Sequence, residues 1–185
     1  METKNKKNPI LIAISGIKNS GKTTLITKLI PRLVNLGYKV ATIKHDGHDF
    51  EGDVEGTDSY RHKEAGAYGT AVFSKTKFMM VKEQDEVSEK ELVSYFNEAD
   101  IILLEGFKYS NYPKVEVIRK EISRDYVCKK ETLIAIATDL FCKFEGIKTI
   151  NINDVDEIIG VLLNYISSNL NWIFLTVNCE LLTKI

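Results

Sequence analysis

The 185-residue chain predicts an α/β fold in three layers, a mostly parallel sheet flanked by helices. The first observation behind this is alternation. Short β-branched apolar runs, such as Ile10-Leu11-Ile12-Ala13-Ile14 and Ile101-Ile102-Leu103-Leu104, take turns with stretches whose apolar residues recur at helical spacing. Strands covered by helices on both faces read as continuous apolar runs, whereas strands that face water alternate. The second observation is Gly16-Ile17-Lys18-Asn19-Ser20-Gly21-Lys22-Thr23, which fits G-x-x-x-x-G-K-[ST]. It stands between the first apolar run and the first helical stretch. Strand, glycine-rich loop and helix in that order are the phosphate-loop arrangement, so the fold expected is P-loop NTPase-like.

Local chemistry predicts each element. The first helix is expected over 23–35, with Leu25, Ile26, Leu29 and Ile30 on one face. Gly37 stands where a left-handed residue would end it, and Pro31 is expected to kink its last turn. The second strand, Lys39-Val40-Ala41-Thr42-Ile43-Lys44, is expected beside the first. The polar stretch 45–58 contains Gly47, Gly52 and Gly56. Long loops in compact domains tend to carry function. A helix over 59–65 follows, with Asp58 or Ser59 as its N-cap. Residues 69–74 and 77–81 are two short strands able to pair as an added hairpin. A helix over 87–98 carries Leu92, Val93 and Phe96 on one face. Strands follow at 101–104, expected to be central, at 114–118, at 133–137 and at 149–152. Asp154 then caps a helix bearing Ile158, Ile159, Leu162, Leu163 and Ile166. Residues 1–8 are expected to form a disordered tail and 9–166 the domain. The extension 167–185 contains Trp172-Ile173-Phe174-Leu175-Thr176-Val177, which reads as a strand.

Composition narrows the functional classes. A hydrophobic content of 44% in this length supports one sizeable core. The net charge of −1 gives no global attraction to nucleic acid or to an anionic membrane. No apolar run is long enough to span a bilayer, and no apolar segment before Pro9 suggests a secretory signal. Cys128, Cys142 and Cys179 are far apart and in no metal-ligand spacing, which suits reduced thiols in a cytoplasmic protein.

The loop predicts the chemistry. Gly16 and Gly21 let the backbone curl so that successive N–H groups, including those of Lys18, Asn19 and Ser20, point inward at an anion. The helix that starts near Thr23 and Thr24 adds its positive end. Lys22 can reach the β- and γ-phosphates, and the Thr23 hydroxyl can ligate Mg²⁺. Glu105 ends the run 101–104. A carboxylate at the C-terminal end of such a strand can bind Mg²⁺ or orient an attacking water. Lys22 and Glu105 are therefore the candidate catalytic pair, the alternative for Glu105 being a plain strand-end carboxylate.

Three further groups are candidates. Asp46, Asp49 and Asp53 follow the second strand, with Asp46 the candidate third Mg²⁺ ligand; a solvated polar loop is the alternative. Lys44 and His45 can sense phosphate there, while a transition-metal site at His45 and His48 has weak support. Arg61 can touch an anionic substrate or only pair with Asp58 or Glu64. Asp139, after the strand 133–137, can accept from a guanine base or cap a helix. No Asn-Lys-x-Asp motif fixes the base.

With these residues assembled, the chain resembles the MobB family, molybdopterin-guanine dinucleotide biosynthesis protein B. Beyond the loop, the resemblance rests on Thr42-Ile43-Lys44-His45, Gly56-Thr57-Asp58-Ser59-Tyr60-Arg61, Glu64-Ala65-Gly66-Ala67 and Leu104-Glu105-Gly106-Phe107-Lys108. Thr138-Asp139 and Asn151-Ile152-Asn153-Asp154-Val155 complete it, and it covers about residues 9 to 166. It implies a GTP-binding P-loop protein with weak GTPase activity, usually a homodimer. Such a protein acts as an adapter beside a MobA-type guanylyltransferase, where molybdopterin-bound molybdenum becomes the guanine dinucleotide cofactor. The family pattern does not predict the extension after Ser167.

Two other classes remain. A small-molecule kinase would need an arginine-rich lid, and the four arginines, Arg32, Arg61, Arg119 and Arg124, form no compact one. A pure interaction protein with a degenerate nucleotide site is disfavoured by the intact Lys22-Thr23 pair.

Overall fold

A computed structural model describes residues 8–48 and 50–182, with side chains described as far as residue 169. Asp49 and all but the last residue of the expected N-terminal tail lie outside it. In chain order the elements are β1 (Ile10–Ser15), α1 (Lys22–Asn35), β2 (Val40–Lys44), α2 (Asp58–Glu64), β3 (Gly69–Phe73), β4 (Phe78–Lys82), α3 (Glu89–Ser94), β5 (Ile101–Glu105), β6 (Lys114–Ile118), β7 (Leu133–Thr138), β8 (Thr149–Asn151) and α4 (Val155–Leu182). The chain divides into two compact units, one formed by Met1–His45 with Val93–Ile185 and the other by Asp46–Leu92.

The first unit is built on a six-stranded sheet in the order β2-β5-β1-β6-β7-β8, every ladder parallel. Apolar residues alternate between its two faces. Ile12, Ile14, Ile101, Leu103, Val115, Val117, Ala135 and Ala137 join Leu25, Leu29 and Leu33 of α1 and Ile158 and Leu162 of α4 in one buried cluster. Ile102, Leu104, Ile118 and Ile136 occupy the other face and are also buried. Full burial of each such side chain contributes about 1.5–3 kcal/mol.

Strand order corrects the expectation that β2 lies beside β1, because β5 intervenes. The reason is burial. Ile101 to Leu104 are at most 2% exposed and need neighbours on both edges, whereas β2 is half exposed and takes the edge. Strand β5 is thus internal but second from the edge. Helix α1 runs through Pro31 and ends as expected at Gly37, whose φ is 90°. The N–H groups of Gly37 and Tyr38 bond the carbonyls of Val34 and Leu33, a Schellman closure. Asp154 caps α4 through its Oδ1, which accepts from the Glu157 N–H at 2.9 Å.

Two helices depart from expectation. Helix α3 ends at Ser94 because the Phe96 and Ala99 N–H groups bond three residues back and tighten the chain into a turn. Helix α4 continues through Trp172 to Leu182, where a strand was expected. Extending an established helix adds one backbone bond per residue with no new nucleus, and this outweighs the local strand preference.

In the second unit Thr57 caps α2, in place of Asp58 or Ser59; its side chain accepts from the Tyr60 N–H. The expected hairpin forms as antiparallel β3–β4, with Ala71 opposite Met80 and Phe73 opposite Phe78. Phe73 and Phe78 are 84% and 68% exposed, and Val72, Met79 and Met80 are also exposed.

Candidate functional site

Because all ladders are parallel, one edge of the sheet gathers every strand C-terminus. Lys44 pairs in register with Glu105, and Glu105 with Ile14. On the other side of β1, Ser15 pairs with Glu116, and Ile118 pairs with Thr138. The loop 16–21 therefore leaves β1 between the end of β5, which is Glu105, and the end of β6, which Arg119 follows.

The loop's backbone alternates in hand. Gly16 has φ 136°, Asn19 65° and Gly21 96°, and Gly21 is the N-cap of α1. At Gly16 a Cβ would lie 2.4 Å from the Val117 carbonyl oxygen, so only glycine fits. No acidic residue stands in the first turn of α1, which leaves its positive end uncompensated by its own sequence. The Ser20 Oγ is buried inside the loop with no hydrogen-bond partner. Lys18, Asn19, Thr23 and Thr24 are exposed on the loop and first helical turn.

Lys22 folds back over the loop, its Nζ donating to the Ile17 carbonyl at 2.8 Å. Burial lowers its pKa below the usual lysine value; Glu105 opposes the fall, and Lys108 and Lys44 add to it. Three cations and one carboxylate thus surround the loop on the β5 side. Thr23 Oγ1 donates to Glu105 Oε1 at 2.6 Å. This joins the two halves of the expected site, a hydroxyl and a carboxylate. Such hard oxygen donors suit Mg²⁺, which takes few protein ligands and keeps waters. His45 is fastened beside them, its N–H bonding the Glu105 carbonyl at 3.0 Å and its ring packing edge-on against Phe107 at 5.7 Å.

Asp139 begins no helix, which removes the capping alternative. Its Oδ1 accepts from the Lys120 N–H at 2.8 Å, and its Oδ2 faces Arg119 Nη1 at 3.4 Å. Burial pushes its pKa up, but the Lys120 N–H and Arg119 outweigh this and hold it below the usual carboxylate range. Asp46 and Arg61 belong to the second unit. Asp46 is exposed, and Arg61 lies 4.0 Å from Asp58. Among the described residues no group of three His, Cys, Asp or Glu could hold a metal ion. None of their helices is long and apolar enough to cross a membrane.

Sequence reasoning missed a buried polar layer on the sheet face opposite α1, formed by the β6 residues that alternate with Val115 and Val117. Lys114 is fully buried, and its Nζ donates to the carbonyls of Ser110 at 2.7 Å, Phe107 at 3.1 Å and Lys108 at 3.4 Å. It fastens the turn after Glu105, in which Gly106 has φ 102° and Phe107 50°. The Ser15 hydroxyl donates to the Gly106 carbonyl from the end of β1. Glu116 accepts from the Val127 and Cys128 N–H groups at 2.8 and 3.0 Å. The run 114–118 was legible as a strand, and only the charges at its alternate positions could have signalled this layer.

The parallel sheet, the loop between β1 and α1 and the strand-end carboxylate define an α/β protein of the P-loop-like class. The particular family follows from comparison. The family model for molybdopterin guanine dinucleotide synthesis protein B, MobB, matches residues 11–139, and the chain belongs to this family. A molybdopterin-guanine dinucleotide biosynthesis adapter protein of Haemophilus influenzae is 33% identical over 159 residues, covering 84% of this chain and 89% of the relative. One of Escherichia coli is 31% identical over 162 residues, covering 84% and 92%. The crystal structure of Bacillus subtilis MobB is 29% identical with a TM-score of 0.65, covering 82% of this chain and 97% of that one. A MobB homologue from Bacillus stearothermophilus, 22% identical with a TM-score of 0.63, shares the fold.

Proposed function

We propose that this protein is a GTP-binding adapter in molybdenum cofactor biosynthesis, acting where the molybdopterin guanine dinucleotide forms, with weak GTPase activity at most. The observation that carries the nucleotide reading is the loop itself. Its alternating backbone, the helix end with no acidic residue of its own, the unpartnered Ser20 Oγ and the bent-back Lys22 are what a polyphosphate would satisfy together. Gly16, Lys18, Asn19, Ser20, Gly21, Lys22, Thr23 and Thr24 cradle the phosphates, and Lys44 and His45 support the γ end. Mg²⁺ would be held through Thr23 and Glu105, where it would neutralise charge between phosphate oxygens. Guanine is assigned to the Asp139 side, two strands from the loop. The adapter role, a MobA-type guanylyltransferase as partner and a molybdopterin-related cofactor as cargo rest on what the relatives are named for. Three cysteines in no metal-ligand spacing suit a cytoplasmic setting.

A homodimer accords with the β3–β4 ribbon, because a two-stranded sheet with exposed Phe73, Phe78 and Met80 is marginal alone. Light scattering that gives a monomer at micromolar concentration would count against it. The nucleotide reading is tested by calorimetric titration of the wild type and of Lys22→Ala with GTP and with ATP. Wild type should prefer GTP, and Lys22→Ala should lose binding while keeping its fold, since Lys22 packs in no core. Equal affinity of the variant and the wild type for GTP would remove the phosphate-loop assignment.

A further inference from the structure

We infer that Arg119 is a contact of the nucleotide's inner phosphates, supplied in cis from the end of β6 and braced by Asp139. This rests on the nucleotide reading above and adds the residue that the arginine count by itself did not single out.

Position comes first. Arg119 directly follows β6, which pairs with β1 on the side opposite β5. Its Nε and Nη2 lie 3.6 Å from the point where a Cβ on Gly21 would sit. The guanidinium is thus laid against the N-cap of a 14-residue helix. Electrostatics comes second. A cation beside the positive end of a helix with no acidic residue in its first turn is repelled unless an anion stands between them. The carboxylate that meets Arg119 is Asp139, at 3.4 Å and itself fastened to the Lys120 N–H, whereas the carboxylate on the first turn of α1, Glu105, is taken by the Thr23 hydroxyl. Asp139 thus holds the guanidinium from the β7 side and leaves its Nε and Nη2 facing Gly21. The buried Ser20 Oγ is an independent sign of a missing polar partner in the same loop. A phosphate oxygen would meet all three needs, and the planar fork of arginine matches it.

The side of the loop fixes which phosphates. Glu105, Lys44 and Lys108 are the charged neighbours of Lys22; Glu105 and Lys44 end β5 and β2, and Lys108 lies in the turn after β5. That is the metal and γ-phosphate side. Arg119 stands across β1 from them, toward β7 and Asp139, where the inner phosphates would pass on the way to the base. It therefore grips GDP and GTP alike, unlike an arginine that acts on the γ-phosphate in hydrolysis.

The test titrates the wild type, Arg119→Ala and Arg119→Lys with GDP, GTP and inorganic tripolyphosphate, with melting curves to check folding. Arg119→Ala should lose about tenfold or more in affinity for GDP and for GTP, by similar factors. Tripolyphosphate, which carries no base, should weaken as well, and Arg119→Lys should recover part of each loss. GDP affinity within twofold of wild type in a folded Arg119→Ala protein overturns the inference. So does a loss on GTP alone, or a loss of turnover with both affinities intact. A wild type that binds none of the three overturns the nucleotide reading instead.

Discussion

Replacing Lys114 with methionine should destabilise the protein and loosen the turn that carries Lys108 to the loop. Methionine nearly preserves volume, so packing changes little and the loss is that of the ammonium. Buried charges are often worth less than their contacts suggest, because taking an ion from water costs several kcal/mol. Replacing an ion pair by apolar groups can even stabilise, because both partners leave. Here they cannot both leave. The acceptors are backbone carbonyls, and they stay in place after the substitution. Phe107 O keeps the N–H and hydroxyl of Ser110. Ser110 O loses a 2.7 Å charge-assisted bond and Lys108 O a longer one. At about 1.5–3 kcal/mol per bond to a charged group, the gross loss is about 3–6 kcal/mol. Relief of ammonium burial offsets part of it, leaving about 2–4 kcal/mol. For a chain of this size each kcal/mol moves Tm by about 2–4 °C, so a fall of about 4–16 °C is expected by calorimetry. Hydrogen exchange should rise at Phe107 to Ser110. A Tm equal to or above wild type, with unchanged exchange in that turn, would refute the idea that Lys114 fastens it.

Other expectations follow from the same edge of the sheet. Glu105→Gln keeps shape and removes charge; turnover of GTP should fall by about tenfold or more, and by more than affinity does, as single-turnover kinetics would reveal. Wild-type turnover in this variant, alone and with the partner enzyme, would make Glu105 structural. Burial, helped by Glu116, pushes the Cys128 thiol from 9.0 up to about 12. A raised acid pKa means that the unfolded chain releases its proton first, so this group's contribution is present below 9.0 and is lost as pH rises toward 12. Iodoacetamide at pH 8 should therefore label exposed Cys142 and spare buried Cys128 until the protein is unfolded, and mass spectrometry reads which thiol reacted first.

The sequence alone determined whatever depends on neighbours along the chain. The run Ile10 to Ile14, the loop 16–23 and the helical face of Leu25, Ile26 and Leu29 form one continuous stretch whose local chemistry has a single solution. Gly37 and Asp154 end and start helices through bonds to residues within a few positions, so their roles were legible too. Tertiary structure decided whatever depends on residues distant in the chain. It put β5 between β1 and β2, because a strand buried to 2% must be paired on both edges. It brought Thr23 within 2.6 Å of Glu105 across 82 positions, turning two separate expectations into one site. The run of α4 past Ser167 is a local outcome instead, because helix propagation from 155–166 needs only neighbours along the chain and outweighs the strand preference of 172–177. Tertiary structure also buried Lys114 and Glu116 on the sheet face opposite α1 and laid Arg119 against Gly21. A charged residue in a strand gives no local sign of whether its carbonyl or amide partners will arrive from elsewhere, and that arrival makes its burial tolerable.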